Sequence, residues 1–311
     1  MHPDEDGGKV IAELLFHAIT GAPVFKSEHD IFLDNLLVSL VPTGANLIYY
    51  TLDGSEPTKS SLLYKKPIKL TATTTIKATA IGEKISPVIS ATYTKVTLHD
   101  GVKIEKTFPR LAYDYFEAPG TERNLRALKL EAFKVVNSST VATFSLAVAR
   151  RKNEYGIKYT GLINIKKDGI YTFHITSDDG SMLTLDGKEV IDNGGQHGTI
   201  EMAGEVALKA GLHPITVKYF DCGGGTFLKV EYECADVANR MEIPAAVLCH
   251  ARVDARYYRS RAADSAEAVM SFFHLSFEEA AALGNFFYSL VSDRGGFENS
   301  CINAGTGTEC E

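Results

Sequence analysis

The chain has 311 residues, 45% hydrophobic and 23% charged. These are ordinary values for a globular protein, and at roughly 150 residues per domain they indicate two domains with a smaller piece attached. The net charge of −7 and the absence of any Lys/Arg run argue against nucleic-acid binding, which needs concentrated positive charge to release counterions. No apolar stretch reaches 18 residues, so a membrane-spanning helix is not expected.

The opening residues, Met1-His2-Pro3-Asp4-Glu5-Asp6, lack the cationic start and apolar core of a secretory signal. The expectation is either an intracellular protein or a piece of a longer one. Val10–Phe16 reads as the amphipathic end of an upstream element, which favours the piece. Residues 1–21 are therefore read as the end of that element or a linker, separate from the β-rich chain after them.

Residues 22–96 are strand-like. Asn46–Leu52 is β-branched and aromatic and stops at Asp53-Gly54, a strong turn signal. Pro57 extends that turn, because proline cannot donate to a ladder. In Thr73–Ile81, Ile76, Ala78 and Ala80 alternate with Lys77 and Thr79, the period of a strand with one buried face. Short strands separated by turn residues predict a small sandwich.

Residues 108–250 repeat the pattern on a larger scale. Phe144, Leu146 and Val148 alternate with Ser145 and Ala147. Tyr171, Phe173 and Ile175 alternate with Thr172, His174 and Thr176. Leu228, Val230 and Tyr232 alternate with charged residues. Turn signals stand between them at Asp168-Gly169, Asp178-Asp179-Gly180, Asp186-Gly187, Asn193-Gly194-Gly195 and Gly223-Gly224-Gly225. Helical propensity is confined to the stretch near Arg123–Glu131. Residues 254–311 change character: Ser276-Phe277-Glu278-Glu279 is a capping box opening an amphipathic helix, a weaker helix precedes it near Asp264–Phe273, and a Gly-rich tail comes last. The fold class is therefore mainly β, two antiparallel β-sandwiches in tandem with a short C-terminal helical segment.

The five cysteines, Cys222, Cys234, Cys249, Cys301 and Cys310, are odd in number and contain no CxxC pair, which argues against a zinc site. Cys301 and Cys310 are spaced to close a small loop; free thiols are the alternative. No GxSxG, HExxH or P-loop is present, and no (β/α)₈ pattern exists to hold a carboxylate pair. Asp53 and Glu56 form a turn rather than an acid/base pair, since nothing apolar surrounds them to raise a pKa. No catalytic residue is assigned. Tyr49, Tyr50 and Tyr64 read either as an aromatic platform for a pyranose or as half-buried sandwich residues.

Both β regions resemble known families. Gly44–Thr58, through Ile48-Tyr49-Tyr50-Thr51-Leu52-Asp53-Gly54-Ser55-Glu56-Pro57-Thr58, resembles the chitobiase/β-hexosaminidase C-terminal domain, a fibronectin-III-like sandwich. Gly156–Ile163, Asp168–Phe173, Ser177–Ser181, Leu185-Asp186-Gly187, Leu208–Ile215 and Ile243-Pro244-Ala245 together resemble the protective-antigen (PA-14) family. The two resemblances cover about two-thirds of the chain. They imply the non-catalytic tail of a secreted glycoside hydrolase, particularly a family-20 β-N-acetylhexosaminidase, and sometimes of a sulfatase. They also imply a secreted, periplasmic or cell-surface setting, a glycan or polysaccharide as partner, and a catalytic domain upstream. A structural spacer or adhesion module without ligand, and a fragment of the hydrolase itself, are the alternatives.

The PA-14 resemblance further implies a ligand site. In lectin members two adjacent aspartates, joined by a cis peptide, hold one Ca²⁺ that in turn holds sugar hydroxyls. Asp178 and Asp179 are the matching pair and the implied metal ligands. A later loop that adds an Asn in those members corresponds here to Asp221–Gly225, with Asp221 and Gly224 as candidate ligand-binding residues and no Asn. His197 and Asn193, with Asp192 beside it, are further candidates on a neighbouring loop. Ca²⁺ suits such a set because it is a hard ion that takes carboxylate, carbonyl and diol oxygens. Ser-Asp-Asp-Gly is also a good turn in its own right, with aspartates capping local amides.

Overall fold

The structure, a computed structural model, describes residues 12, 15–117, 123–234 and 237–251. The expected C-terminal helices, Cys301 and Cys310 lie outside the described residues. The described residues form one compact unit, within which the side chains gather around two separate main cores.

The first core lies between two sheets formed by residues 24–95. Its strands are β1 (Val24–Lys26), β2 (Ile31–Phe32), β3 (Leu36–Val41), β4 (Leu47–Thr51), β5 (Leu62–Leu63), β6 (Ile68–Leu70), β7 (Thr74–Ile81) and β8 (Ile89–Lys95). One sheet has the order β1-β3-β6 and the other β2-β8-β7-β4-β5; pairing is antiparallel except between β2 and β8. The alternation read in β7 is realised: Ile76 and Ala78 are fully buried, and with Val38, Ile48 and Tyr93 they fill the core. Tyr50 and Tyr64 pack against that core with their rings edge to face, centroids 6.4 Å apart, so these two tyrosines are sandwich residues and not a flat platform.

The second core is larger. Its strands are β9 (Thr107–Pro109), β10 (Leu111–Glu117), β11 (Val135–Val141), β12 (Tyr155–Ile165), β13 (Gly169–Asp178), β14 (Ser181–Leu185), β15 (Lys188–Asn193), β16 (Ile200–Leu208), β17 (Gly211–Asp221), β18 (Phe227–Cys234), β19 (Val237–Glu242) and β20 (Leu248–Ala251). One sheet runs β11-β10-β12-β17-β14-β15, with β20 joining β12 to β9; the other runs β16-β13-β18-β19. All neighbouring strands of these two sheets are antiparallel. Tyr171, Phe173 and Ile175 of β13 face Tyr159, Ile163, Ile215 and Val217 across the interior, as period-2 patterning requires.

One local expectation is corrected. Phe144–Val148 does not form a strand despite its alternation; Leu146–Val148 is a single 3₁₀ turn. The Ser145 hydroxyl caps the amide of Ala147, and the Ser145 carbonyl accepts from the Tyr159 hydroxyl. Those side-chain bonds give the backbone an alternative to a ladder, while Phe144, Leu146 and Val148 still reach the core. The helical stretch near Arg123–Glu131 contains helix α1, Leu125–Leu128, capped by the Asn124 side chain and followed by a 3₁₀ turn. It buries Leu125 and Leu128 with Phe116, Leu130 and Phe220 in a small satellite core.

Candidate functional site

Strand register brings together three loops distant in sequence. Asp178, the last residue of β13, lies opposite Phe227 of β18. Ser181, at the start of β14, is flanked by Asn193 of β15 on one side and Tyr219 of β17 on the other. The Asp178–Gly180 turn, the 193–199 loop and the 221–226 loop therefore converge at one end of the second sandwich. Phe220, in the satellite core, anchors the base of the last loop.

Three carboxylates meet there. Asp179 and Asp221 are 2% and 1% exposed, and Asp178 is half-buried. The Asp178–Asp179 peptide is cis. One Asp179 oxygen accepts from the Cys222 amide at 2.7 Å, and the His197 amide also bonds this carboxylate. Asp221 accepts from the Gly223 amide at 3.0 Å and the Thr226 hydroxyl at 2.9 Å, closing its own loop. Asp178 accepts from the Thr199 hydroxyl at 3.3 Å, and its carbonyl accepts from the Tyr219 hydroxyl.

Burial raises the carboxyl pKa of Asp179, and the adjacent Asp178 charge adds to it; the Cys222 and His197 amides pull the other way. Burial likewise raises Asp221, with the Thr226 hydroxyl and Gly223 amide opposing and Asp179 and Asp178 reinforcing. No ion pair among the described residues joins any of the three to a lysine or arginine. Burial also raises the pKa of the Tyr219 phenol, which remains a neutral donor.

Two glycines shape the opening. Gly224 has φ +103° with no atom within 4 Å of where a Cβ would stand. Gly225 lies so close to Asp178 that a Cβ there would be 2.3 Å from its carboxylate oxygen.

The remaining candidates serve the loops themselves. Asn193 is buried and donates to the Ser177 hydroxyl and the Ile200 carbonyl. Asp192 pairs with Arg126 and accepts from the Gly194 amide. The His197 ring lies between the carbonyls of Asn193 and Gly198, so it closes its own loop. Thr199, Thr226 and Tyr219 are not among the sequence candidates. Hydroxyl residues carry no signal of their own, and for Thr199 and Tyr219 only register reveals the partner, Asp178.

The donor set suits a hard cation. It is made of carboxylate oxygens with no lysine or arginine paired to them among the described residues, and burial pushes the nearby Cys222 thiol up, disfavouring a soft-metal thiolate site. Among the described residues no three or more His, Cys, Asp or Glu side chains are arranged to hold a metal ion. A cation at Asp178 and Asp179 would need its further ligands from carbonyls, hydroxyls and water.

Comparison with known proteins gives residues 134–244 as a match to the PA14 domain and residues 39–93 as a match to the family described as Fn3 associated. A beta-hexosaminidase of Porphyromonas gingivalis (strain ATCC BAA-308 / W83) is 25% identical over 203 residues, covering 62% of this chain and 25% of that protein. The match thus spans about a quarter of that curated relative's length. Solved structures with similarity include the PA14 domain of the MpAFP antifreeze protein, with TM-score 0.41, 17% identity and coverage of 49% of this chain and 96% of that one. The PA14 sugar-binding domain of an RTX adhesin has TM-score 0.39 and 19% identity, covering 46% and 98%. The epithelial adhesin 9 A domain from Candida glabrata, in complex with Galβ1-3GlcNAc, has TM-score 0.39 and 13% identity, covering 49% and 93%.

Proposed function

We propose that the second sandwich is a non-catalytic carbohydrate-binding module of a larger extracellular glycoside hydrolase, and that glycan is held at the Asp178–Asp179, 193–199 and 221–226 loops. The observation that carries this reading is the convergence of Asp178, Asp179 and Asp221, with no lysine or arginine among the described residues paired to them, beside an open glycine loop. Such a site favours a hard cation. Bound Ca²⁺ would offer its remaining coordination positions to vicinal sugar hydroxyls. Asp178 and Asp179 hold it, and the Asp221 loop frames it. The PA14 match over 134–244 supports the reading, and the hexosaminidase relative supports the glycosidase setting.

A second reading, a spacer without ligand, draws on the bonds that Asp179 and Asp221 already make to their own loops. The two part under one experiment. Full-length protein is titrated with Ca²⁺ while thermal unfolding is followed, then applied to a glycan array with Ca²⁺ or chelator. The binding module gains stability with Ca²⁺ and retains glycans only when Ca²⁺ is present. Asp178→Asn combined with Asp179→Asn removes both effects. A parent protein that neither responds to Ca²⁺ nor retains any glycan leaves the spacer.

A further inference from the structure

A different feature joins the two sandwiches. Glu205 stands on β16, beside Thr172 of β13 and on the outer face of that sheet. One carboxylate oxygen lies 2.6 Å from His29 Nδ1. The other accepts the backbone amides of Asp30 at 3.0 Å and Ile31 at 3.2 Å. All three donors belong to the turn that enters β2 of the first sandwich. That turn is itself bound to its own domain, since the Thr94 amide donates to the Asp30 carbonyl and Ile31 is paired with Thr94. One carboxylate thus grips a segment that cannot move without its sandwich.

The connector after β8 is held as well. The His99 amide donates to the Ala207 carbonyl at 2.8 Å, the Lys209 amide donates to the His99 carbonyl at 2.9 Å, and the Val102 amide donates to the Leu212 carbonyl at 2.7 Å. Lys209 Nζ lies 2.6 Å from Asp100. The backbone at Gly101 lies against that of Leu212, so a Cβ there would stand 3.1 Å from the Leu212 nitrogen. The connector therefore runs along the β16–β17 hairpin and is not a free tether. Between the clasp and the neighbouring strand is a cavity of about 330 Å³ lined by Glu28, His29, Thr172, Glu205, Glu233 and Cys234.

Domains in one chain move relative to each other unless specific contacts prevent it. A carboxylate with three converging donors is such a contact, because charge-assisted bonds are short and directional. We propose that Glu205 is an interdomain clasp that makes the two sandwiches one rigid body. Thr172, opposite Glu205, and Asp178 are six residues apart on β13, about 20 Å at ~3.3 Å per residue. The clasp therefore fixes the first sandwich at the far end of the sheet from the candidate glycan loops. It leaves those loops open and holds them at a constant separation from the first sandwich. This inference stands whether or not the loops bind glycan.

The test places two spin labels on full-length protein, through non-canonical amino acids at the exposed Lys59 and Lys166, and measures their distance distribution by pulsed EPR. The parent is expected to show one narrow distribution, and Glu205→Ala one at least twice as broad, with unchanged circular dichroism. His29→Ala, which removes one donor and leaves β16 intact, is expected to fall between them. It decides the matter should Glu205→Ala fail to fold. A parent distribution that is already broad, or variants as narrow as the parent, overturns the proposal.

Discussion

At position 225 the backbone approaches the Asp178 side chain so closely that a Cβ would force that carboxylate to shift. An alanine there would place its Cβ 2.3 Å from the Asp178 carboxylate oxygen and 2.9 Å from its carbon. The half-buried carboxylate is the part able to move, so Gly225→Ala is expected to cost about 1 kcal/mol or less in stability. It should still raise the Ca²⁺ concentration needed for any thermal shift by at least tenfold. Thermal unfolding across a Ca²⁺ series checks this, and a variant that responds like the parent would detach Asp178 from the cation. The aspartate pair and the glycine loop are visible in the sequence because each is a contiguous run with turn chemistry of its own. Thr199 is not, because its partner Asp178 lies 21 residues away in another loop.

Among elements, β17 shows how a strand can place a polar group in a core position. His213 alternates with Ile215, Val217 and Tyr219, all buried, and its own side chain is fully buried. Its Nδ1 lies 2.8 Å from Asp186, and its Nε2 lies 2.9 Å from the Lys209 carbonyl. A carbonyl only accepts, so Nε2 carries a proton, and the charged imidazolium satisfies both partners. Burial opposes that charge, yet the bonds to Asp186 and Lys209 leave the pKa raised from 6.5. A raised folded value means that the stability this pair supplies is fully present below pH 6.5 and is lost as pH rises through that higher value. His213→Gln is expected to flatten that part of the stability-pH profile, measured by urea unfolding between pH 5 and about 9. His99 also faces this group, its Nδ1 3.6 Å from Asp186, and Lys188 Nζ lies 3.4 Å from His99 Nε2. Packing can be probed on β13, where Ile175 is fully buried. Ile175→Ala is expected to lose about 2–5 kcal/mol in urea, the usual range for an emptied aliphatic site.

For the whole molecule, two cores are tied by Glu205 and by the docked connector. Two of the three glutamates around the cavity between them are engaged: Glu205 binds His29 and two amides, and Glu233 binds His174. A glycoside hydrolase needs two carboxyl groups facing each other across a sugar, one of them with its proton retained. The purified chain is accordingly expected to give no release from a chromogenic β-N-acetylglucosaminide above the buffer rate. Turnover that disappears on substituting a described carboxylate would overturn the non-catalytic reading.

The amino-acid sequence by itself determined the β architecture, the positions of most strands and the loops that carry the aspartates. Those features depend on neighbours along the chain: period-2 alternation, Gly and Asp turn chemistry, and contiguous motifs. Alternation misled at Phe144–Val148, where Ser145 and Tyr159 supplied bonds that no local pattern records. Tertiary structure alone decided which loops meet, which carboxylates become buried together, and that Glu205 reaches His29 across 176 residues. Each of these is set by strand register and by docking of one sandwich on the other, and such long-range pairing leaves no periodic trace in the sequence around either partner.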